Sequence, residues 1–286
     1  MNALYITDLH GDIEKYEKIL RVAEKQDIKY IINGGDMLPK HGDLFKDKYY
    51  FIHEYLPDYF NRLQDNGITY ICMLGNDDIR AYDEIFDDVC NRFDNVYNIA
   101  NRRIVINDYE FIGMNYILDY PYGLKDRVVI EDGFCFEKQK SEAFYTKNSD
   151  LVKISNWEDY ARKNLNIMKD ILANLPTPKN ANKTIYVIHM PPANLNLGVT
   201  KFNNVILGSK EIYDFINRLK PMLTLHGHVH ESPNLGKKVW VNKINDTDCI
   251  QPGQTEMDDE ELVYVSLDLE TKKYTRETCN VRDFNR

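Results

Sequence analysis

Cysteine is sparse and unpaired in this chain: Cys72, Cys90, Cys135, Cys249 and Cys279 are odd in number and widely spaced, with no CxxC pair. That argues against a disulfide framework and against a closed thiolate zinc site, and makes reduced thiols the expected state. Long apolar runs are missing too; nowhere do about 18 apolar residues follow one another, so no segment is expected to span a membrane. The N-terminus runs straight into Asp8, His10 and Asp12 with no basic region and apolar stretch before them. No signal peptide is expected, and a cytoplasmic protein is the reading. Positive charge is in deficit, with 36 Lys and Arg against 45 Asp and Glu and a formal net charge of −9. Non-specific nucleic-acid binding relies on Lys/Arg stripes that displace counterions, so this balance disfavours a nucleic-acid partner without forbidding one. No internal repeat and no low-complexity tract is present.

What is there suffices for a sizeable core. The 286 residues are 43% apolar and 28% charged, as expected for one large α/β domain covering residues 1–286. Ala3–Thr7, Tyr30–Asn33 and Ile68–Leu74 read as buried strands. Between and after them, helical patterns run from Asp12 to about Lys25, from Tyr49 to Asn66 with Pro57 as a kink, and from Ile79 to Cys90. This alternation implies parallel strands joined by crossover helices. Arg103–Ile106 and Glu110–Gly113 are short strands about a turn at Asn107-Asp108. Residues from about 116 to 182 are less regular and read as an insertion within the domain, with a helical pattern from Trp157 to about Leu175. Regular pattern resumes at the strand Thr184–Ile188, followed by a helix over Ser209–Leu219 and a strand over Met222–Leu225. Val239–Val241, Thr247–Ile250 and Glu261–Leu269 read as closing antiparallel strands.

Five of these strands end in polar residues of one chemical kind. Asp8 and His10 follow the first, Asp36 the second and Asn76 the third; His189 ends Thr184–Ile188, and His228 and His230 follow Met222–Leu225. Ligands in open α/β sheets gather at the carboxyl ends of strands, so these side chains are expected on one rim. Any one of them alone is more simply a solvated loop residue; the ordered set is not. Carboxylate and amide oxygens mixed with imidazoles suit Mn²⁺, iron or Zn²⁺. One carboxylate could bridge a pair of ions, and two dications against two carboxylates leave positive charge for a phosphate.

The ordered motifs Asp8-Leu9-His10, Gly35-Asp36, Gly75-Asn76-Asp77-Asp78, His189 and Gly227-His228-Val229-His230 resemble those of the calcineurin-like metallophosphoesterase superfamily. Ile250-Gln251-Pro252-Gly253 is similar to that family's strand and turn after the site. The resemblance implies a four-layer α/β/β/α sandwich of two mixed sheets. It implies two divalent ions, Mn²⁺ first with iron, Zn²⁺ or Ni²⁺ as alternatives. Asp8, His10 and His230 would hold one ion, Asn76, His189 and His228 the other, and Asp36 would bridge. The implied activity is hydrolysis of a phosphate ester, more a diester than a monoester, by a hydroxide shared between the ions. A metal-binding scaffold with little catalysis and a nuclease are the alternatives.

The chain departs from the family pattern at Asp77, where the family carries a histidine; Asp78 matches the acid that normally orients that histidine. An aspartate with a pKa near 3.9 is ionised at neutral pH and cannot act as a general acid. Three accounts stay open. Asp78 could raise the pKa of Asp77, the metals could act without an acid, or the site could bind metal and catalyse little. His41, in the loop after Asp36, is a candidate substitute acid, Lys40 beside it a candidate phosphate contact, and His53 and His226 are read as a helix-surface residue and a strand end. His189-Met190-Pro191-Pro192 and Asp36-Met37-Leu38-Pro39 are similar to a bacterial subgroup of small phosphoesterases. The aromatics Tyr116, Tyr120, Tyr122, Phe134, Phe136, Phe144, Tyr145 and Trp157 either anchor the 116–182 segment or stack a base above the metals.

Overall fold

The computed structural model describes residues 1–133, 135–201, 205–255 and 260–283, so Phe134 lies outside the described residues. In chain order the strands are β1 (Asn2–Ile6), β2 (Tyr30–Asn33), β3 (Thr69–Cys72), β4 (Val96–Asn98), β5 (Arg103–Ile106), β6 (Tyr109–Met114), β7 (Ile117–Leu118), β8 (Val128–Val129), β9 (Ala143–Lys147), β10 (Asp150–Ile154), β11 (Thr184–Ile188), β12 (Leu223–Leu225), β13 (Val241–Ile244), β14 (Thr247–Ile250), β15 (Glu261–Asp268) and β16 (Lys273–Asn280). The helices are α1 (Ile13–Lys25), α2 (Lys46–Tyr50), α3 (Leu56–Asp65), α4 (Asp83–Cys90), α5 (Trp157–Asn164), α6 (Met168–Ala173) and α7 (Lys210–Leu219). Two six-stranded sheets result, ordered β16-β15-β1-β2-β3-β4 and β13-β14-β12-β11-β6-β5. Strands β1 to β4 pair in parallel, as do β6, β11, β12 and β14, while β15, β16, β13 and β5 run antiparallel at the edges.

The two-residue period of a strand sorts its side chains into layers. Leu4 and Ile6 face α1 and α3, whereas Ala3 and Tyr5 enter the core between the sheets. Tyr70 and Cys72 likewise join the helical side while Ile71 points between the sheets. In the second sheet Tyr186 and Ile188 pack under α5, α6 and α7, and Ile185 and Val187 face the first sheet. Three apolar clusters separated by two sheets make the four-layer α/β/β/α sandwich. Strands buried on both faces read as continuous apolar runs, which is why they were legible in the chain.

Several expectations are corrected. Trp157–Leu175 is two helices, because the chain turns extended at Leu165. The 116–182 segment, read as an insertion within the domain, packs on the second sheet through Trp157, Ala161, Met168 and Leu172 of α5 and α6. Thr247–Ile250 is antiparallel only to β13 and runs parallel to β12. The strand expected at Val239–Val241 lies at Val241–Ile244, and β16 and the β9–β10 hairpin were not anticipated. Around Pro57 the helix widens into a π-turn, Phe51–Tyr55, in which Leu56 N–H donates to Phe51 C=O. That accommodates a proline that has no N–H to donate. Among the described residues no helix is long and apolar enough to cross a membrane.

Candidate metal centre

The carboxyl ends of β1, β2, β3, β11 and β12 bring all seven expected ligand residues together. Asp8, His10, Asp36, Asn76 and His189 are almost fully buried, with 0 to 4% of each exposed. Four of the seven hold left-handed backbone without being glycine: Asp8 (φ 59°), His10 (φ 48°), Asp36 (φ 52°) and His228 (φ 70°). Such conformations cost energy and cluster where side chains must be aimed. Two motif glycines make room for them. A Cβ on Gly75 would lie 2.2 Å from the Asp36 amide nitrogen, and one on Gly227 would lie 2.7 Å from Asp8 Oδ2.

The donor atoms converge in two overlapping groups. Asp8, His10, Asp36 and His230 each present one ligand atom within 4.8 Å of the others. In that group His10 Nε2 is 3.0 Å from His230 Nε2 and 4.0 Å from Asp36 Oδ2, and His230 Nε2 is 3.6 Å from Asp8 Oδ1. In the second group Asn76 Oδ1 lies 2.9 Å from His189 Nε2 and 2.7 Å from His228 Nδ1. His189 Nε2 is also 3.3 Å from Asp36 Oδ2. Asp36 Oδ2 therefore faces both groups, while its Oδ1 accepts the Asp77 N–H at 2.8 Å.

These residues fit divalent cation binding on their own chemistry. His189 Nδ1 lies 2.9 Å from Gly34 C=O, an acceptor, so the neutral ring carries its proton on Nδ1 and aims the Nε2 lone pair at Asn76 and Asp36 oxygens. Three lone pairs meeting at that spacing need positive charge among them, either a proton on Nε2 or a cation. The electrostatics point the same way: burial lowers the His189 pKa, but the charge and hydrogen bond of Asp36, then Asp8 and Gly34, overcome it and lift it to about 9. Burial leads the opposite shift at His10, lowered to about 4, and at His228, lowered to about 3, which keeps them in the neutral form that ligates.

At position 77 the charged partner is Lys40, whose Nζ is 2.9 Å from Asp77 Oδ2. Burial and the charge of Asp36 push the Asp77 carboxyl up, but Lys40 and His10 outweigh them and it ends below its ordinary value. That direction argues against the account in which Asp77 is a protonated acid. Asp78, the other acid of this motif, makes structural contacts. It is fully buried, and its carboxylate accepts the N–H groups of Met37 at 2.9 Å, Leu38 at 2.8 Å and Gly75 at 2.8 Å. It ties the loop carrying Asp36 to the loop carrying Asn76. Burial and Asp36 raise its pKa to about 6 against the pull of Lys48. His41 is exposed and is not among the residues lining the cavity over the metal centre; Lys40 is. His53 rests on Tyr49, ring centroids 4.2 Å apart. His226 is buried, with Nδ1 2.8 Å from Ile188 C=O and Nε2 2.8 Å from Thr224 Oγ1.

Sequence reasoning missed the buried groups that hold the loops. Lys48 Nζ donates to Pro39 C=O at 2.6 Å and Asp77 C=O at 3.0 Å. Arg127 Nε donates to Gly75 C=O at 2.8 Å, and Gln251 Nε2 to Val229 C=O at 2.6 Å. Only Gln251 carried a sequence signal, through its Pro-Gly neighbour. The cavity above the site has a volume of about 670 Å³, walled by Tyr120, Tyr122, Phe144, Val205 and Leu207. Tyr120 meets His228 edge-on at 5.9 Å. Phe136, Tyr116 and Trp157 instead pack into the core of the second sheet.

A family model described as calcineurin-like phosphoesterase matches residues 1–232. Among solved structures, TT1561 of Thermus thermophilus is 19% identical, covers 98% of this chain and 99% of its own, and has a TM-score of 0.56. An archaeal phosphodiesterase is 12% identical, covers 98% and 100%, and has a TM-score of 0.42. Yfce, a phosphoesterase from E. coli, is 12% identical, covers 99% and 100%, and has a TM-score of 0.39. The first of these likenesses concerns the fold alone, and the other two carry no argument. No curated protein sequence matches the chain.

Proposed function

The chain belongs to the calcineurin-like phosphoesterase family of metal-dependent hydrolases, and from that premise we propose that it cleaves a phosphodiester at a dinuclear centre. Asp8, His10 and His230 would hold one ion and Asn76, His189 and His228 the other, with Asp36 serving both. This donor set suits Mn²⁺ first, with iron, Zn²⁺ or Ni²⁺ as alternatives. When bound, the pair supplies Lewis acidity, acidifying water and neutralising phosphate charge. The protein's part is positioning: Gly34 C=O orients His189, and the Asp77 N–H holds the Asp36 oxygen that faces away from His189.

The observation that carries the diester reading is the Asp77 carboxylate, paired with Lys40 at 2.9 Å on the cavity wall. An ionised carboxylate has no proton for a departing alkoxide. A cavity of about 670 Å³ with aromatic and aliphatic walls supports the same reading, since it has space for two ester substituents. The test is metal analysis with turnover of an aryl phosphodiester and an aryl phosphomonoester in Mn²⁺. The diester is expected to be preferred, and Asp36→Asn to lose more than the roughly 10- to 100-fold that outer partners of metal ligands cost. Turnover untouched by Asp36→Asn overturns the dinuclear reading. Stoichiometric metal without turnover of either ester would make this a binding protein.

A further inference from the structure

Lys40 lies on a loop whose backbone is clamped against the loop of Asp77. Lys48, 1% exposed, grips the carbonyl of Pro39, next to Lys40, and the carbonyl of Asp77 itself. Asp78 grips Met37 and Leu38 on one loop and Gly75 on the other. Surface ion pairs are usually weak because two long side chains must be held in one geometry. Here both backbones are already held, and the two side chains meet at 2.9 Å. Both line the cavity beside Asp36, Asn76, His228 and His230. An ammonium has three N–H donors, and Asp77 takes one of them. By contrast Lys140, on the same cavity, sits 5.4 Å over the Tyr122 ring.

A lone carboxylate at position 77 would repel the phosphate that the centre attracts. A lone lysine on a half-exposed loop would have no fixed direction. Paired, the carboxylate's charge is offset and the ammonium is held in a set position at the mouth of the site. We infer that Lys40 is a catalytic residue whose ammonium contacts the phosphoryl oxygens of the ester, and that Asp77 is the positioning residue that holds it there. The pair stands where the family has a single histidine. During hydrolysis the water oxygen bonds to phosphorus and the bond from phosphorus to the leaving oxygen breaks, its electron pair departing with that oxygen, which takes up through solvent the proton that the water gives up. Lys40 keeps its protons and hydrogen-bonds to the oxygens on which negative charge grows. The inference rests on the phosphodiesterase reading above and names a residue of its site.

The test measures inorganic phosphate binding to the Mn²⁺-loaded protein by calorimetry, beside steady-state turnover. Lys40→Met is expected to weaken phosphate binding at least tenfold and to lower kcat/KM about 100-fold, with metal stoichiometry unchanged. Lys40→Arg should recover most of both. Asp77→Asn should lose less than Lys40→Met and should lower kcat more than it raises KM. In the Lys40→Met background, Asp77→Asn should tighten phosphate binding again, because it removes the unpaired carboxylate. A purely structural pair would not produce that reversal. Phosphate affinity of Lys40→Met within twofold of the parent overturns the inference, as does a double variant that binds no tighter than Lys40→Met. If Asp36→Asn abolishes diester turnover and Lys40→Met changes nothing, only the role of Lys40 falls. If Lys40→Met loses phosphate while the parent cleaves no ester, the phosphodiesterase reading falls and the phosphate contact stands.

Discussion

Replacing Asp78 by alanine separates a loop clamp from a catalytic acid. The Asp78 carboxylate is fully buried and accepts three amide N–H groups, from Met37, Leu38 and Gly75, at 2.8 to 2.9 Å. Leaving a buried donor unpaired costs about 1–3 kcal/mol. Allowing for partial relaxation and water entry, the three together set a loss of about 3–5 kcal/mol for Asp78→Ala. Thermal unfolding of a domain this size should then shift down by about 5–8 °C. The same change frees the loops that carry Asp36 and Asn76, so Mn²⁺ affinity should fall in parallel. Asp78→Asn keeps one acceptor oxygen but turns an NH₂ group towards the remaining donors, and should destabilise as well. The measurements are thermal denaturation and metal titration of both variants. A melting temperature and metal affinity unchanged within error, with kcat alone reduced, would refute the clamp and restore Asp78 as a chemical participant.

Other substitutions probe the same architecture. Gly227→Ala should lower metal affinity, because the added Cβ would sit 2.2 Å from Thr7 Oγ1 and 2.7 Å from Asp8 Oδ2; calorimetric Mn²⁺ titration checks it. His41→Ala should leave diester turnover within about twofold of the parent, since that side chain is exposed and outside the cavity lining; steady-state kinetics decide. Glu17 accepts both ends of the Arg62 guanidinium, at 2.6 and 2.7 Å, and this pairing leads the lowering of its pKa below 4.5. A depressed carboxylate pKa gives stability that is complete above about pH 4.5 and is lost as pH falls through the folded value. Glu17→Gln should therefore cost about 1 kcal/mol at pH 7 and little at pH 3, read from denaturant unfolding at the two pH values.

Much of the fold was legible because its signals are local. Buried parallel strands are short apolar runs, and the polar residues that end them sit on one rim once the strands are parallel. That placed Asp8, His10, Asp36, Asn76, His189, His228 and His230 without any coordinates. The errors fall where pairing partners are distant in sequence. Thr247–Ile250 reads the same whether it lies parallel or antiparallel to its neighbour, and only its register with Leu223–Leu225 decides. The exposed, mostly polar β16 has no apolar run to announce it. Tyr120 and Trp157 are equivalent as aromatic letters, yet one lines the cavity and the other packs under the second sheet.

The amino-acid sequence alone determined the strand-end donor set and the anomaly at Asp77, because ligand type and order along the chain are one-dimensional facts. Tertiary structure decided what that anomaly means. Whether Asp77 is a proton donor or a charged partner depends on Lys40, 37 positions away in the chain and 2.9 Å away in space. That closeness in turn depends on Lys48 and Asp78, charged residues at positions that composition would place on the surface. Their burial is stabilised by each other's opposite charge and by carbonyls and amides that the folded loops bring to them, and such long-range pairing leaves no periodic trace in the chain.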